Sequence, residues 1–197
     1  FDALKFVRGT QECSNFRPGF AAYLYRKFGG HGGIVLDPST GYGGRLVGWI
    51  ASGLGGRYVG VDPNTLTFNA NTRLAKALAP SGAVSLIHSP FEDADLSEIE
   101  GQVSFVFTSP PYFAKEIYSD EPTQSWKRYP TCDEWARGFL APLLSKSFTS
   151  LRSGGTCVIN IADVSIKGTT YDLEKRTVDA GIAAGFKHID TLRFEMS

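Results

Sequence analysis

Apolar positions along this chain fall into short β-branched runs separated by longer stretches with helical spacing. That alternation predicts a mostly parallel, doubly wound sheet with helices on its faces, an α/β fold. Residues 16–28 (FRPGFAAYLYRKF) read as a helix, with Pro18 tolerated in the first turn, where its missing N–H is not needed. Ile34–Asp37 reads as the first strand, followed by a glycine-rich turn and a helix near 43–53. Arg57–Asp62 is the second strand, and the helix after it, near 64–79, stops at Pro80. Ala83–His88 and Val103–Thr108 read as the third and fourth strands, the latter ending in a Ser-Pro-Pro turn. A polar and aromatic loop covers about 111–131. Thr131 and Glu134 have capping-box spacing and predict a helix running to Arg152, ended by Gly154-Gly155. Thr156–Ile161 reads as the fifth strand, 172–184 as a helix stopped by Gly185, and Phe186–Glu195 as a sixth strand.

Composition narrows the class. A length of 197 residues suits one domain, 1–197, and 42% hydrophobic with 20% charged residues is a soluble globular balance. No apolar run is long enough to span a membrane. The net charge of zero gives no basic excess of the kind nucleic-acid binders carry. A neutral catalytic core with its basic surface elsewhere fits this, and so does a protein or small-molecule substrate. Because the chain starts at Phe1 and ends at Met196-Ser197, we expect it to be a piece of a longer protein. Cys13, Cys132 and Cys157 are odd in number and form no CxxC pair, which predicts neither a disulfide framework nor a zinc site and suits a reducing, cytoplasmic setting. His31, His88 and His188 are scattered, so no metal is expected.

The unusual residues sit at the carboxyl ends of the expected strands, where open α/β sheets bind ligands. Asp37-Pro38-Ser39-Thr40-Gly41-Tyr42-Gly43 follows the first strand and opens a helix. Glycines there let the backbone come close to a ligand. The spacing departs from the dinucleotide pattern, since Leu46 stands where its third glycine would be. An acid at Asp37 suits the ammonium of an amino-acid-bearing ligand better than a pyrophosphate. Asp62, with Pro63 behind it, stands about 20 residues on, where an acid can take ribose hydroxyls; the bland alternative is a cap on the next helix. Phe91 can face an adenine ring and Glu92 or Asp93 its amino group, or the first can be core and either acid a cap on the next helix.

Ser109-Pro110-Pro111-Tyr112 is the most specific signal in the chain. Two prolines forbid further ladder bonds and fix a rigid turn. The Ser109 hydroxyl and the Pro110 carbonyl then offer two acceptors for an –NH2 group, and Tyr112 offers a flat face to a base taken out of its stack.

With these motifs in place, the chain resembles the amino-methyltransferases among class I S-adenosylmethionine (SAM)-dependent methyltransferases. It is most similar to DNA N4-cytosine and N6-adenine methyltransferases, whose hallmark is [D/N/S]-P-P-[Y/F/W]. The resemblance spans most of the chain. Asn15-Phe16-Arg17-Pro18 resembles motif X, Asp37–Gly43 motif I, Asp62 motif II and Ser109–Tyr112 motif IV. It implies SAM as cofactor, held by Asn15, Phe16, Arg17, Asp37, Pro38, Ser39, Thr40, Gly41, Gly43, Asp62, Pro63, Phe91 and Glu92. It implies a Rossmann-like fold, DNA as partner and direct transfer to an exocyclic amino nitrogen at Ser109, Pro110, Pro111 and Tyr112. Serine at 109 leans towards cytosine N4 over adenine N6. Ser39 replaces the family's usual Phe, and Pro90 stands near its adenine-contacting Asp. The motif order resembles the γ arrangement, in which a target-recognition region would follow.

None of the cysteines follows a proline, which excludes C5-cytosine chemistry. Within the long loop, Lys115, Trp126, Arg128 and Tyr129 mix cations with aromatics as a substrate surface would, while Glu116, Asp120 and Glu121 offset that charge. A solvated lid is the equal alternative. The other readings are an RNA or protein-amide N-methyltransferase, a catalytically idle SAM-binding module and a nicotinamide dehydrogenase. Class I methyltransferases end in two further strands, so the seventh is expected to be missing.

Overall fold

The computed structural model describes residues 15–29 and 31–192. Its frame is a five-stranded parallel sheet of order β3-β2-β1-β4-β5, formed by Ile34–Asp37 (β1), Arg57–Asp62 (β2), Val84–His88 (β3), Val103–Thr108 (β4) and Leu151–Ile159 (β5). Pro18–Phe28 (α1) precedes it, and Gly44–Ser52 (α2) and Thr65–Leu78 (α3) connect its first strands. Every residue of β4 is buried, because both faces of a central parallel strand are covered. The side chains divide between two cores, the alternation being broken by an irregularity between Val103 and Phe105. Val103 and Val106 join Leu36, Trp135 and Leu143 in the core on one face, while Phe105 and Phe107 join Val35, Tyr25 and Trp49 on the other.

The chain runs outward from β1 to β3, then returns to place β4 on the other side of β1. That reversal opens a crevice at the carboxyl ends of β1 and β4, just past Asp37 and Thr108. The helix after the long loop starts at the expected cap. Thr131 and Glu134 bond each other's backbone N–H in a complete capping box, and Cys132–Trp135 runs through a π turn at Ala136–Leu140 into Ala141–Ser150. We call the first and last of these helical pieces α5 and α6; the short Ser125–Arg128 before them is α4.

Three expectations change. The helix ends at Ser150 instead of Arg152, and β5 already begins at Leu151. Gly154-Gly155 therefore lies inside the strand, where Gly154 (φ 75°) forms an irregularity that shifts the register from Val103↔Leu151 to Phe105↔Thr156. Val164–Ile166 (β6) and Thr169–Tyr171 (β7) form a separate antiparallel hairpin that the sequence reading does not contain. Its two turn residues, Lys167 and Gly168, both have positive φ (49° and 83°), as a two-residue hairpin turn requires. The helix Leu173–Ala184 (α7) ends at Gly185 as expected, but 186–192 form no strand. Phe186 packs edge-on against Phe148 of α6 instead of against the edge of β5, and Ile189 is 79% exposed. Residues 193–195 of the expected sixth strand lie outside the described residues, as does Cys13.

Candidate active site

A cavity of about 370 Å³ opens in the crevice, within the usual range for a small-molecule site. On its β1–β2 side the wall is Pro38, Ser39, Thr40 and Gly41 from the glycine turn, with Asp62 and Pro63 from the end of β2. Asp62 ties these two strand ends together. Its Oδ2 accepts from Gly41 N–H at 2.6 Å, and its Oδ1 from Asn64 N–H and Thr67 Oγ1, both at 2.9 Å. It thus serves the turn and the start of α3 while lining the cavity. Burial raises its carboxyl pKa, against the pull of the three donors.

The glycine turn is built for close approach. Gly43 has φ 80°, and a Cβ there would stand 2.2 Å from Asn71 Oδ1, whose amide donates to the Gly41 carbonyl at 2.7 Å. At Gly44 a Cβ would meet the Phe16 carbonyl at 2.1 Å, and its N–H donates to Asn15 Oδ1 at 3.1 Å. The segment before α1 is thereby docked onto the turn, which brings Asn15, Phe16 and Arg17 into the wall. Gly43 itself supports the turn from outside the wall.

Asp37 requires a correction. Its side chain is fully buried and does not line the cavity, because three internal donors consume it: Arg45 Nε at 2.8 Å, Tyr58 Oη at 2.7 Å and Ser39 N–H at 3.2 Å. It has no free face for a ligand ammonium. Arg45, which the sequence reading missed, lines the cavity instead and also donates to the Ser39 carbonyl. Burial alone would lower its guanidinium pKa; the Asp37 charge more than offsets this, so the cation is held firmly. A charged residue at the start of the helix after a glycine loop was the available clue.

Phe91 and Glu92 form the adjoining wall. Glu92 Oε1 accepts from Arg128 at 2.8 Å and from Tyr129 Oη at 3.1 Å, while its buried Oε2 has no partner among the described residues. Burial pushes the Glu92 carboxyl up. Gln124, also missed, lines the same cavity with a buried Nε2 that likewise has no partner. Buried polar groups are nearly always satisfied, so an open acceptor and an open donor in one cavity wall point to a polar ligand.

The long loop lines the cavity through Glu116, Tyr118, Thr123, Gln124 and Ser125, while its expected cations and aromatics make internal bonds. Arg128 and Tyr129 are spent on Glu92 and Asp93, Trp126 Nε1 on the Ser119 carbonyl at 3.3 Å, and Lys115 reaches Ser165 of the hairpin. None of the four lines the cavity. The loop instead folds over the β2 side, where the Glu121 carboxylate caps the start of α3 at Thr65 N–H (3.2 Å) and Thr123 bonds the Pro63 carbonyl.

The opposite wall carries Ser109, Pro111 and Tyr112. Pro110 is buried behind it, which does not support the expected role of its carbonyl. The turn is tight. Phe113 takes a left-handed φ of 53°, uncommon for an aromatic residue, and donates to the Pro111 carbonyl at 2.9 Å. Its ring is anchored between Trp135 and Tyr171. Asn160, the third residue missed, follows β5 and joins this wall. Its Nδ2 donates to Ser109 Oγ at 3.0 Å and to Tyr112 Oη at 2.9 Å.

No family model matches the chain, and no curated protein matches it. Solved structures do. The [4+2]-cyclase SpnF is similar with TM-score 0.60 and 11% identity, over 88% of this chain and 59% of that one. An SAM-dependent O-methyltransferase from Thermotoga maritima gives TM-score 0.57 and 10% identity, over 88% and 52%. Geranyl diphosphate C-methyltransferase from Streptomyces coelicolor A3(2), solved with S-adenosyl-L-homocysteine, gives 0.52 and 19%, over 72% and 43%. This is the class I methyltransferase fold. The chain spans about half the length of these structures. The class I fold puts the sheet's switch point between β1 and β4, where the cavity lies.

Proposed function

We propose that this domain binds SAM and transfers its methyl group to an exocyclic amino nitrogen of a DNA base, cytosine N4 in preference to adenine N6. The observation that carries the reading is one cavity with two chemically different walls: the glycine turn, Asp62, Phe91 and Glu92 on one side, Ser109 and Tyr112 on the other. The residues present fit SAM. Asp62 suits ribose hydroxyls, and the open Glu92 Oε2 and Gln124 Nε2 suit a purine edge that offers both a donor and an acceptor. Arg45, in place of the expected Asp37, suits the carboxylate of the methionine portion. Phe16 and Arg17 would close this end.

Bound there, SAM supplies an electrophilic methyl group. Ser109 Oγ would accept a hydrogen from the target amine and favour a more nucleophilic nitrogen, and the Tyr112 ring would hold the base flat. The nitrogen would take the methyl carbon as the carbon–sulfur bond of SAM gives way, sulfur keeping the electron pair, and the amine's extra proton would pass to water. Positioning then carries much of the acceleration. A neighbour named as a cyclase gives a second reading, in which the fold serves other chemistry.

The test is transfer of labelled methyl from SAM to mixed genomic DNA, with SAM affinity measured separately by calorimetry. The Ser109→Ala, Tyr112→Ala double variant is expected to keep SAM affinity within about threefold and to lose at least 10²-fold in transfer. Equal transfer by the double variant contradicts the assignment of that wall, and SAM affinity without transfer to DNA favours another acceptor.

A further inference from the structure

Asn160 stands one residue past β5. Its backbone N–H donates to the Thr108 carbonyl at 2.9 Å, extending the β4–β5 pairing by one bond and setting the side chain beside the Ser109 turn. A primary amide nitrogen has two hydrogens. Asn160 spends both here, one on Ser109 Oγ and one on Tyr112 Oη. We propose that Asn160 is a positioning residue for methyl transfer: it turns one lone pair of the Ser109 hydroxyl towards the target amino group and fixes the plane of the Tyr112 ring. This rests on the N-methyltransferase reading above.

The donor and acceptor inventory gives the reason. A serine hydroxyl has one hydrogen and two lone pairs. At Ser109 one lone pair accepts from Asn160. The Asn160 amide thereby orients the hydroxyl and leaves its second lone pair open, the acceptor that an –NH2 group needs. Without Asn160 the hydroxyl rotates freely and can present its hydrogen instead. Tyr112 loses the bond at the far end of its ring. The rigid proline turn fixes the backbone of both residues but not their hydroxyl torsions. Asn160 supplies that missing constraint from a neighbouring strand, where a rigid element sets its place.

The test compares Asn160→Ala and the volume-matched Asn160→Leu with the parent protein, in the natural background and in a Ser109→Ala, Tyr112→Phe background. In the natural background kcat for DNA methylation is expected to fall about 10²-fold with SAM Kd unchanged within about twofold. In the second background the same change at 160 has little further effect, because the groups through which it acts are gone. An equal loss in both backgrounds, or a loss confined to SAM affinity, overturns the proposal. A second readout needs no substrate. With tyrosine labelled by 13C at Cζ, the Tyr112 resonance, identified by its absence in Tyr112→Phe, is expected to move in both Asn160 variants. An unmoved resonance overturns the proposal whatever the substrate. A protein that binds SAM and methylates no DNA overturns the nucleic-acid reading, and the resonance alone then decides for or against the Asn160 anchor.

Discussion

A buried carboxylate must be matched by donors, and Asp37 is matched by Arg45, Tyr58 and Ser39. The pair is worth most where one partner is removed and the other stays. Asp37→Asn strands the Arg45 guanidinium, which is 4% exposed, and is expected to cost about 3–5 kcal/mol in urea denaturation. An unchanged midpoint would contradict this account of β1. Glu92 has the opposite problem, since burial holds its pKa above the ordinary carboxylate range. For an acid with a raised folded pKa, the stabilisation of the protonated form is complete below the unfolded pKa and is lost as pH rises through the folded one. Glu92→Gln is neutral throughout. Its melting temperature, relative to the natural protein, is therefore expected to climb as pH rises from the unfolded carboxyl pKa, about 4, through the raised folded one; a difference that is flat in pH would contradict the burial argument.

At the scale of elements, the strands and their motif-bearing ends were legible because a buried parallel strand is a short apolar run followed by an abrupt change of chemistry. Val103–Thr108 ending at Ser109-Pro110 is such a case, and so is Ile34–Asp37. The capping box was legible for a local reason, its two side chains needing only each other. Asn160 was not, because its meaning depends on β5 lying beside β4, a long-range pairing that no local pattern encodes. The loop's internal partners were hidden for a similar reason. Its cations and aromatics suggested a substrate surface, while Glu92 and Asp93, distant in sequence, hold Arg128, and Glu121 pins the loop to α3. This makes the loop a strap over the β2 side of the cavity, the proposed cofactor half. Glu121→Ala is expected to speed SAM dissociation severalfold in stopped-flow measurements while leaving the melting temperature within about 2 °C, since the cap sits on an exposed helix end. Unchanged dissociation would separate the strap from the cofactor.

For the whole molecule, order matters more than composition. The sequence β3-β2-β1-β4-β5 places one crevice between β1 and β4, and the chain's specific motifs converge on it from Asn15 to Asn160. Similar folds carry C-methyltransferase, O-methyltransferase and cyclase names, so the architecture alone does not choose the acceptor. Charge does not choose it either, with 20 basic and 20 acidic residues. In the proposed reading, the choice lies in a small wall of serine, tyrosine and asparagine that would suit an amino group. The most direct measurement is therefore the identity of the methylated product, by mass spectrometry of nucleosides digested from DNA treated with SAM and the protein. N4-methylcytosine, or N6-methyladenine as the alternative within the same chemistry, is the predicted result; 5-methylcytosine, or unmodified DNA beside a methylated protein or RNA, would contradict the account.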